Sequence, residues 1–337
     1  MKILFKFLPI FFLVLSCGSS VKKEDKKKAD FTIAFGSCNR QNEEQPLWNS
    51  ILKNQPDVFL WGGDNIYADT DNAAKMKNAY EDQSRNKDYQ KVVKKMKVLG
   101  TWDDHDYGLN DGGKEWHFKE ESQQLLLDFL EVPENSERRE RDGVYHSEVF
   151  ETEKGIVKVI LLDTRYFRDK LIKSGDPNRR YRPSSGTILG EAQWNWLKQE
   201  LFNSEADFNV ILSSIQILSA EHGFETWGNF PSEVEKLKEL IISSEASNVM
   251  LLSGDRHISE FSAAEVGGLN YPLVDFTSSG LTHTYEEFSG EPNKHRVGAV
   301  VKERSFGILK FDFSKNKVQM EMRGKKNKLQ QEYIVEF

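Results

Sequence analysis

The hydrophobic and polar positions of this chain alternate between short apolar runs and amphipathic stretches. FTIAF (31–35) reads as a strand that ends in the small-residue loop GSCN. A helical stretch over 47–54 follows, then the apolar run Val58–Trp61, which stops at Gly62-Gly63. Residues 72–97 are polar and Lys-rich with helical character, and LGTW opens a third apolar segment. Phe118, Leu125, Leu126 and Phe129 recur at helical spacing and predict a helix over 114–130. VYHSEVF and GIVKVILLDTR read as strands. LGEAQWNWLKQELFNS is amphipathic, with Leu189, Trp194, Leu197 and Leu201 on one face. FNVILSSIQIL is a further apolar run, PSEVEKLKELIISSEASN a helix with a proline near its start, and SNVMLLSGDRHISEF a strand, a turn and a helix-like beginning. The tail (FGILKFDFSKNKVQMEMRG, then QQEYIVEF) alternates as closing antiparallel strands do. Helices between apolar strands predict a layered α/β domain with a partly parallel core, and in such sheets ligands bind outside the carboxyl ends of the strands. Cys38, Asp64, Asp104 and His257 all fall just there.

The first 17 residues do not belong to this pattern. MKILFKFLPIFFLVLSC has a basic start and an apolar run, Ile3 to Leu15, too short for an ordinary membrane span, which fits a signal peptide. Val14-Leu15-Ser16-Cys17 resembles a lipobox, in which the cysteine is lipidated and becomes the first mature residue. GSSVKKEDKKKAD is then a polar tether. The expected organisation is a lipoprotein signal peptide (1–17), a flexible tether (18–29) and a single domain (30–337). The expected location is that of an exported bacterial lipoprotein, periplasmic or anchored at the outer membrane or cell surface. With Cys17 lipidated, Cys38 is a lone thiol with no internal disulfide partner. The net charge of −7 is spread without a basic stripe, which argues against a nucleic-acid-binding module. A monomer is expected.

Four short segments carry candidate chemistry. In GGDNIYAD, Asp64 and Tyr67 lie three residues apart after a strand. They make either an Asx turn with a solvent-capped tyrosine or two hard oxygen donors suited to ferric iron. WDDHD places Asp103, Asp104 and Asp106 around His105. Such crowding needs solvent or a cation; in the metal reading one carboxylate ligates and the histidine faces the substrate as acid or orienter. In SGDRHISE, Asp255 and His257 alternate after a buried strand, so both can point one way. Cys38 in GSCN is either a small buried apolar residue or a thiolate ligand.

Taken in order, GSCN, GGDNIYAD, TWDDHDYGLND, LLDTRYFRD, LGEAQWNWL, LSGDRHISE and TSSGLTH resemble the PhoD-like alkaline phosphatase family within the calcineurin-like metallophosphoesterases, over about residues 30 to 310. GDNIY is also similar to the GDxxY element of purple acid phosphatases, where the tyrosine binds iron. The resemblance implies a four-layer α/β/β/α sandwich with mixed sheets and a dinuclear centre of ferric iron and calcium, other divalent metals being possible. It implies Cys38, Asp64 and Tyr67 on the iron, with Asp64 bridging to the second metal. Asp104 stands where the wider superfamily has a ligating asparagine, and Asp255 and His257 match the final metal-binding pair. His105 matches the catalytic histidine near the leaving group, and Arg165 an arginine that holds phosphate oxygens. Asn65 is either a ligand or a phosphate contact. Many family members carry an additional N-terminal β-domain; here a short tether precedes the body. The implied reaction is phosphomonoester hydrolysis by a metal-acidified water, with a phosphodiesterase or phospholipase-type enzyme, or a non-catalytic surface lipoprotein, as the alternatives.

Overall fold

The computed structural model describes residues 29–337, so the signal-peptide, tether and Cys17 expectations lie outside the described residues, apart from Ala29 at the tether's end. The first part of the chain forms β1 (Phe31–Gly36), α1 (Trp48–Leu52), β2 (Val58–Gly62), α2 (Ala73–Arg85), α3 (Lys87–Val93), β3 (Lys97–Thr101), the single turn α4 (Asp104–Tyr107) and α5 (Lys119–Phe129). Next come β4 (His146–Glu151), β5 (Ile156–Leu161), the small hairpin β6 (Ile172–Lys173) and β7 (Tyr181–Arg182), α6 (Gly190–Phe202), β8 (Phe208–Leu212), α7 (Pro231–Ser244) and β9 (Val249–Ser253). The remainder is all strand: β10 (Ser259–Ala264), β11 (Leu273–Ser278), β12 (Arg296–Val301), β13 (Ser305–Asp312), β14 (Lys317–Gly324) and β15 (Leu329–Glu336).

These strands build two mixed sheets, ordered β15-β14-β13-β1-β2-β3 and β12-β10-β11-β9-β8-β5-β4. In the first, β1, β2 and β3 run parallel and β13 pairs antiparallel with β1. In the second, β5, β8, β9 and β11 run parallel. Strand periodicity assigns the layers. Ile33 and Phe35 face Val159, Leu161, Val210 and Phe276 of the other sheet, whereas Ala34 between them packs with Trp48 and Ile51 of α1. On the far side, Ile160, Ile211 and Leu251 meet Trp194 and Leu197 of α6 and Leu237 and Ile241 of α7. The result is the expected four-layer α/β/β/α sandwich, whose parallel strands point their carboxyl ends to one rim.

The structure corrects the sequence reading at two places. SEF after His257 begins β10, not a helix: Ser259 to Ala264 are nearly all buried, so no exposed face gives the alternation that marks a strand. IQIL after β8 is a buried loop held by side-chain partners, with Asp275 Oδ2 accepting from the backbone of Ile217 (2.9 Å) and Leu218 (3.0 Å).

Candidate metal centre

Four of the six expected ligands sit just past a strand end in a backbone conformation that L residues seldom adopt, whereas Tyr67 and Asp104 keep ordinary backbone angles. Cys38 (φ 60°) follows β1, Asp64 (φ 50°) follows β2, and Asp255 (φ 67°) and His257 (φ 54°) follow β9. Left-handed non-glycine residues cost of order 1 kcal/mol each and gather where the surrounding structure needs a side chain aimed. Gly63 makes the approach possible: it lies at φ 95°, and a Cβ there would stand 2.6 Å from the Cβ of Asp103.

The aimed side chains converge. Cys38 Sγ lies 3.5 Å and the Tyr67 hydroxyl 3.1 Å from Asp64 Oδ2, and the same hydroxyl is 3.0 Å from His257 Nε2. The other oxygen, Asp64 Oδ1, accepts from the His105 backbone N–H at 3.3 Å. Ligand atoms of Cys38, Asp64 and His257 lie within 4.8 Å of one another, as do those of Asp64, Asp104 and His105, and those of Asp103, Asp104 and Asp255. Asp64 therefore joins two neighbouring donor groups. Asp104 Oδ2 accepts from the Asp111 N–H (2.8 Å), while its Oδ1 is buried without a partner among the described residues. Asp103 Oδ2 and Asn65 Oδ1 are likewise buried and unpartnered. The Asn65 amide nitrogen is spent inside the fold, on Thr101 O (2.9 Å) and Asp106 Oδ2 (2.6 Å).

Electrostatics give the same reading. Burial first, and then neighbouring acids, push the Asp64 carboxyl, the Cys38 thiol and the Tyr67 phenol well above their ordinary ranges. Burial likewise raises Asp255, and it takes Asp106 up to about 8. The His257 imidazole is driven down to about 4 by burial and by the His105 charge, which leaves it neutral, as a ligand must be. Buried carboxylates that crowd one another and leave oxygens unpaired are costly to ionise unless a cation joins them. The donor set of thiol, phenol, imidazole and carboxylates therefore fits a metal centre, with the softer sulfur and the His257 nitrogen on one side of Asp64 and mainly carboxylate oxygens, beside the His105 ring, on the other.

His105 stands differently. Its Nδ1 is 2.7 Å from Asp69 Oδ1, and its ring stacks on Tyr67 with centroids 4.1 Å apart. Burial pulls its pKa down, but Asp64, the Asp69 hydrogen bond and Asp104 outweigh it, and the imidazolium is held up to about 10.

Arg165 departs from expectation. Its side chain is fully buried and does not reach the cavity: Nε and Nη2 donate to Asp103 Oδ1 (2.8 and 2.5 Å), and Nη1 donates to Glu225 Oε2 (2.7 Å). It is an internal tie and not a wall of the cleft. Asp106 caps α4 by accepting from the Asp103 N–H at 2.7 Å.

The cavity over the centre holds about 480 Å³ and is lined by Asp104, His105 and His257 together with residues the sequence did not single out. His283 is one; its ring lies 4.4 Å from that of His257, and its Nε2 is buried without a partner among the described residues. It ends the TSSGLTH segment, which was a visible signal without an assigned role. Arg40, Arg180, Phe224 and Arg256 also line the cavity. Arg40 directly follows GSCN and Arg256 lies within SGDRHISE, where neither had an assigned role, and Arg180 and Phe224 come from loops that no local pattern marks.

Solved structures with this architecture include one titled Structure of PhoD, with a TM-score of 0.71 and 17% identity over 91% of this chain and 68% of the other. A dimetal phosphatase from Danio rerio aligns with a TM-score of 0.55 and 13% identity over 92% of this chain and 99% of the other. GAP50, the anchor in the inner membrane complex of Plasmodium, aligns at 0.59 and 15% identity over 92% of this chain and 90% of the other. At such identities these likenesses establish the fold. In sequence, alkaline phosphatase D of Bacillus subtilis (strain 168) is 27% identical over 140 residues, 36% of this chain and 24% of that protein's length. The match to the PhoD-like phosphatase family runs from residue 33 to residue 330, through both sheets and every strand end described above, and the chain belongs to that family.

Proposed function

We propose that the protein hydrolyses phosphate esters, as an alkaline phosphatase D-like phosphomonoesterase with two cations in its cleft. The observation that supports this reading is Asp64, whose two oxygens face different donor groups. Cys38, Asp64, Tyr67 and His257 would hold one cation, for which ferric iron suits the phenol and carboxylate. Asp64 and Asp104, with Asp255 beside Asp104, would hold the other, a carboxylate set suited to calcium. When bound, such cations supply positive charge to phosphate oxygens and lower the pKa of water.

The chain's own residues do the rest. Asp69 fixes Nδ1 of His105, so Nε2 is the ring nitrogen free to act in the cavity. The Asp69 carboxylate at Nδ1 favours the protonated ring, and from Nε2 the ring donates a proton to the departing ester oxygen. Arg165 does not touch the substrate; it neutralises Asp103 and Glu225 beneath the ligands. His105→Asn is expected to lower kcat by about 10²–10⁴ for an alkyl phosphate, whose leaving oxygen needs the proton. The loss should be much smaller for p-nitrophenyl phosphate, which leaves as a stable anion. Equal losses on both esters would remove His105 from the acid role.

We also propose that the chain is exported and held at a membrane by lipid on Cys17, on the strength of the Val14–Cys17 pattern and the polar tether. Cys17→Ala should move the protein from the membrane to the soluble fraction with its phosphate-releasing activity intact. Retention of the variant on membranes would count against the anchor.

A further inference from the structure

The cavity has an acidic floor, Asp104 and Asp255, and a cationic wall that includes Arg256, next to Asp255 in the chain, and Arg180 from the β6–β7 hairpin. Two of its arginines are mounted on one aromatic ring: the Arg256 guanidinium lies 4.1 Å and that of Arg180 lies 5.2 Å from the centre of Phe224. Arg256 is only 6% exposed. Its Nη2 serves both oxygens of Glu291, at 2.9 and 2.7 Å. Among the described residues neither Nη1 nor Nε of Arg256 has a hydrogen-bond partner, and Nε is fully buried. Arg180 gives Nη1 to Asp111 Oδ2 (2.9 Å), and among the described residues its Nε and Nη2 have no hydrogen-bond partner. The mount is rigid. The Arg180 backbone N–H donates to Gly223 O (2.7 Å) and the Tyr181 hydroxyl to Asp111 Oδ2 (2.5 Å). Asp111 in turn bonds Asp104 through its own N–H, so the wall is tied to the floor.

A guanidinium that is buried with unused donors costs free energy unless an anion takes them. Its planar fork suits the oxygens of a phosphate. We propose that Arg256 and Arg180 hold the non-bridging phosphate oxygens of the substrate, the role expected of Arg165, and that they set a preference for terminal phosphates over diesters. The proposal rests on the phosphate-ester reading above. A terminal phosphate presents three non-bridging oxygens and close to two negative charges at neutral pH. A diester presents two oxygens and one charge, so it gains less from two added guanidinium groups.

The test uses full-length protein loaded with its cations, as wild type, Arg256→Gln and Arg180→Gln. Inorganic phosphate binding is measured by calorimetry, and turnover with p-nitrophenyl phosphate and bis(p-nitrophenyl) phosphate. Each variant is expected to weaken phosphate binding by about 10- to 100-fold, the worth of a hydrogen bond to a charged group. KM for the monoester should rise in step and kcat/KM for the diester should change only a few-fold. Phosphate affinity unchanged in both variants, or equal losses on the two esters, overturns the proposal. Should Arg256→Gln fail to fold with Glu291 left unpaired, the half-exposed Arg180 still decides the matter. A wild type that binds phosphate through these arginines but turns over neither ester overturns the hydrolase reading alone. One that turns over both, with a phosphate affinity indifferent to the substitutions, overturns this inference alone.

Discussion

Asp64→Asn should reduce phosphate release from an aryl phosphate by about 10³-fold or more, the effect of losing several kcal/mol of charge stabilisation in the transition state. The substitution keeps the shape of the side chain and leaves one oxygen in place, so Gly63 and the β2 turn are not disturbed. What it removes is the negative charge shared by the Cys38–His257 group and the Asp104–His105 group. Metal content should fall with activity, because an amide presents one neutral oxygen where a carboxylate presents two charged ones. Activity at the wild-type level in Asp64→Asn would sink the assignment of the centre.

The second large effect is on stability. Arg165→Met should destabilise the fold by about 3–5 kcal/mol, because it strands the buried Asp103 without a cation and leaves the buried Glu225 with Arg168 alone. Glu225 already has its pKa raised to about 7 by burial, with Arg165 and Arg168 acting to lower it. Loss of Arg165 takes away the stronger of those two supports. The double variant Arg165→Met with Glu225→Gln should recover part of the loss, since only one carboxylate is then left uncompensated. Urea denaturation of the two variants reads both effects. Any Arg165→Met that remains folded should keep a near-normal KM for a monoester, because the guanidinium has no surface in the cavity. A large rise in KM with little loss of stability would return Arg165 to the phosphate-holding role.

Much of the fold was legible because its core strands obey simple rules. The run Val58–Trp61 and the run Val249–Ser253 are continuous apolar stretches bounded by glycine, as strands buried on both faces must be. The amphipathic stretches at α6 and α7 were equally plain. β10 was not, because burial on both faces erased its alternation and the preceding Asp-Arg-His looked like a polar helix start. The candidate ligands were legible for a different reason. Each follows a strand end directly, so position along the chain already places it at the rim. Arg165 misled because the resemblance alone assigned it to phosphate, and nothing in LLDTRYFRD shows that it turns inward. Its partners lie 62 and 60 residues away, and only the packed fold brings them to it. The Arg180–Phe224–Arg256 wall was illegible for the same reason: its three members are brought together by the β6–β7 hairpin and two loops whose pairing no local pattern encodes.

The central claim is that the cleft around Asp64 is a two-cation centre that hydrolyses phosphate esters. The most direct measurement is phosphate release from p-nitrophenyl phosphate while cations are titrated into chelated full-length protein, with bound metal counted at each step. The account predicts no turnover in the metal-free protein and a rate that rises and saturates at two cations per chain. A full rate with no metal bound, or stoichiometric loading with no turnover at all, would contradict it.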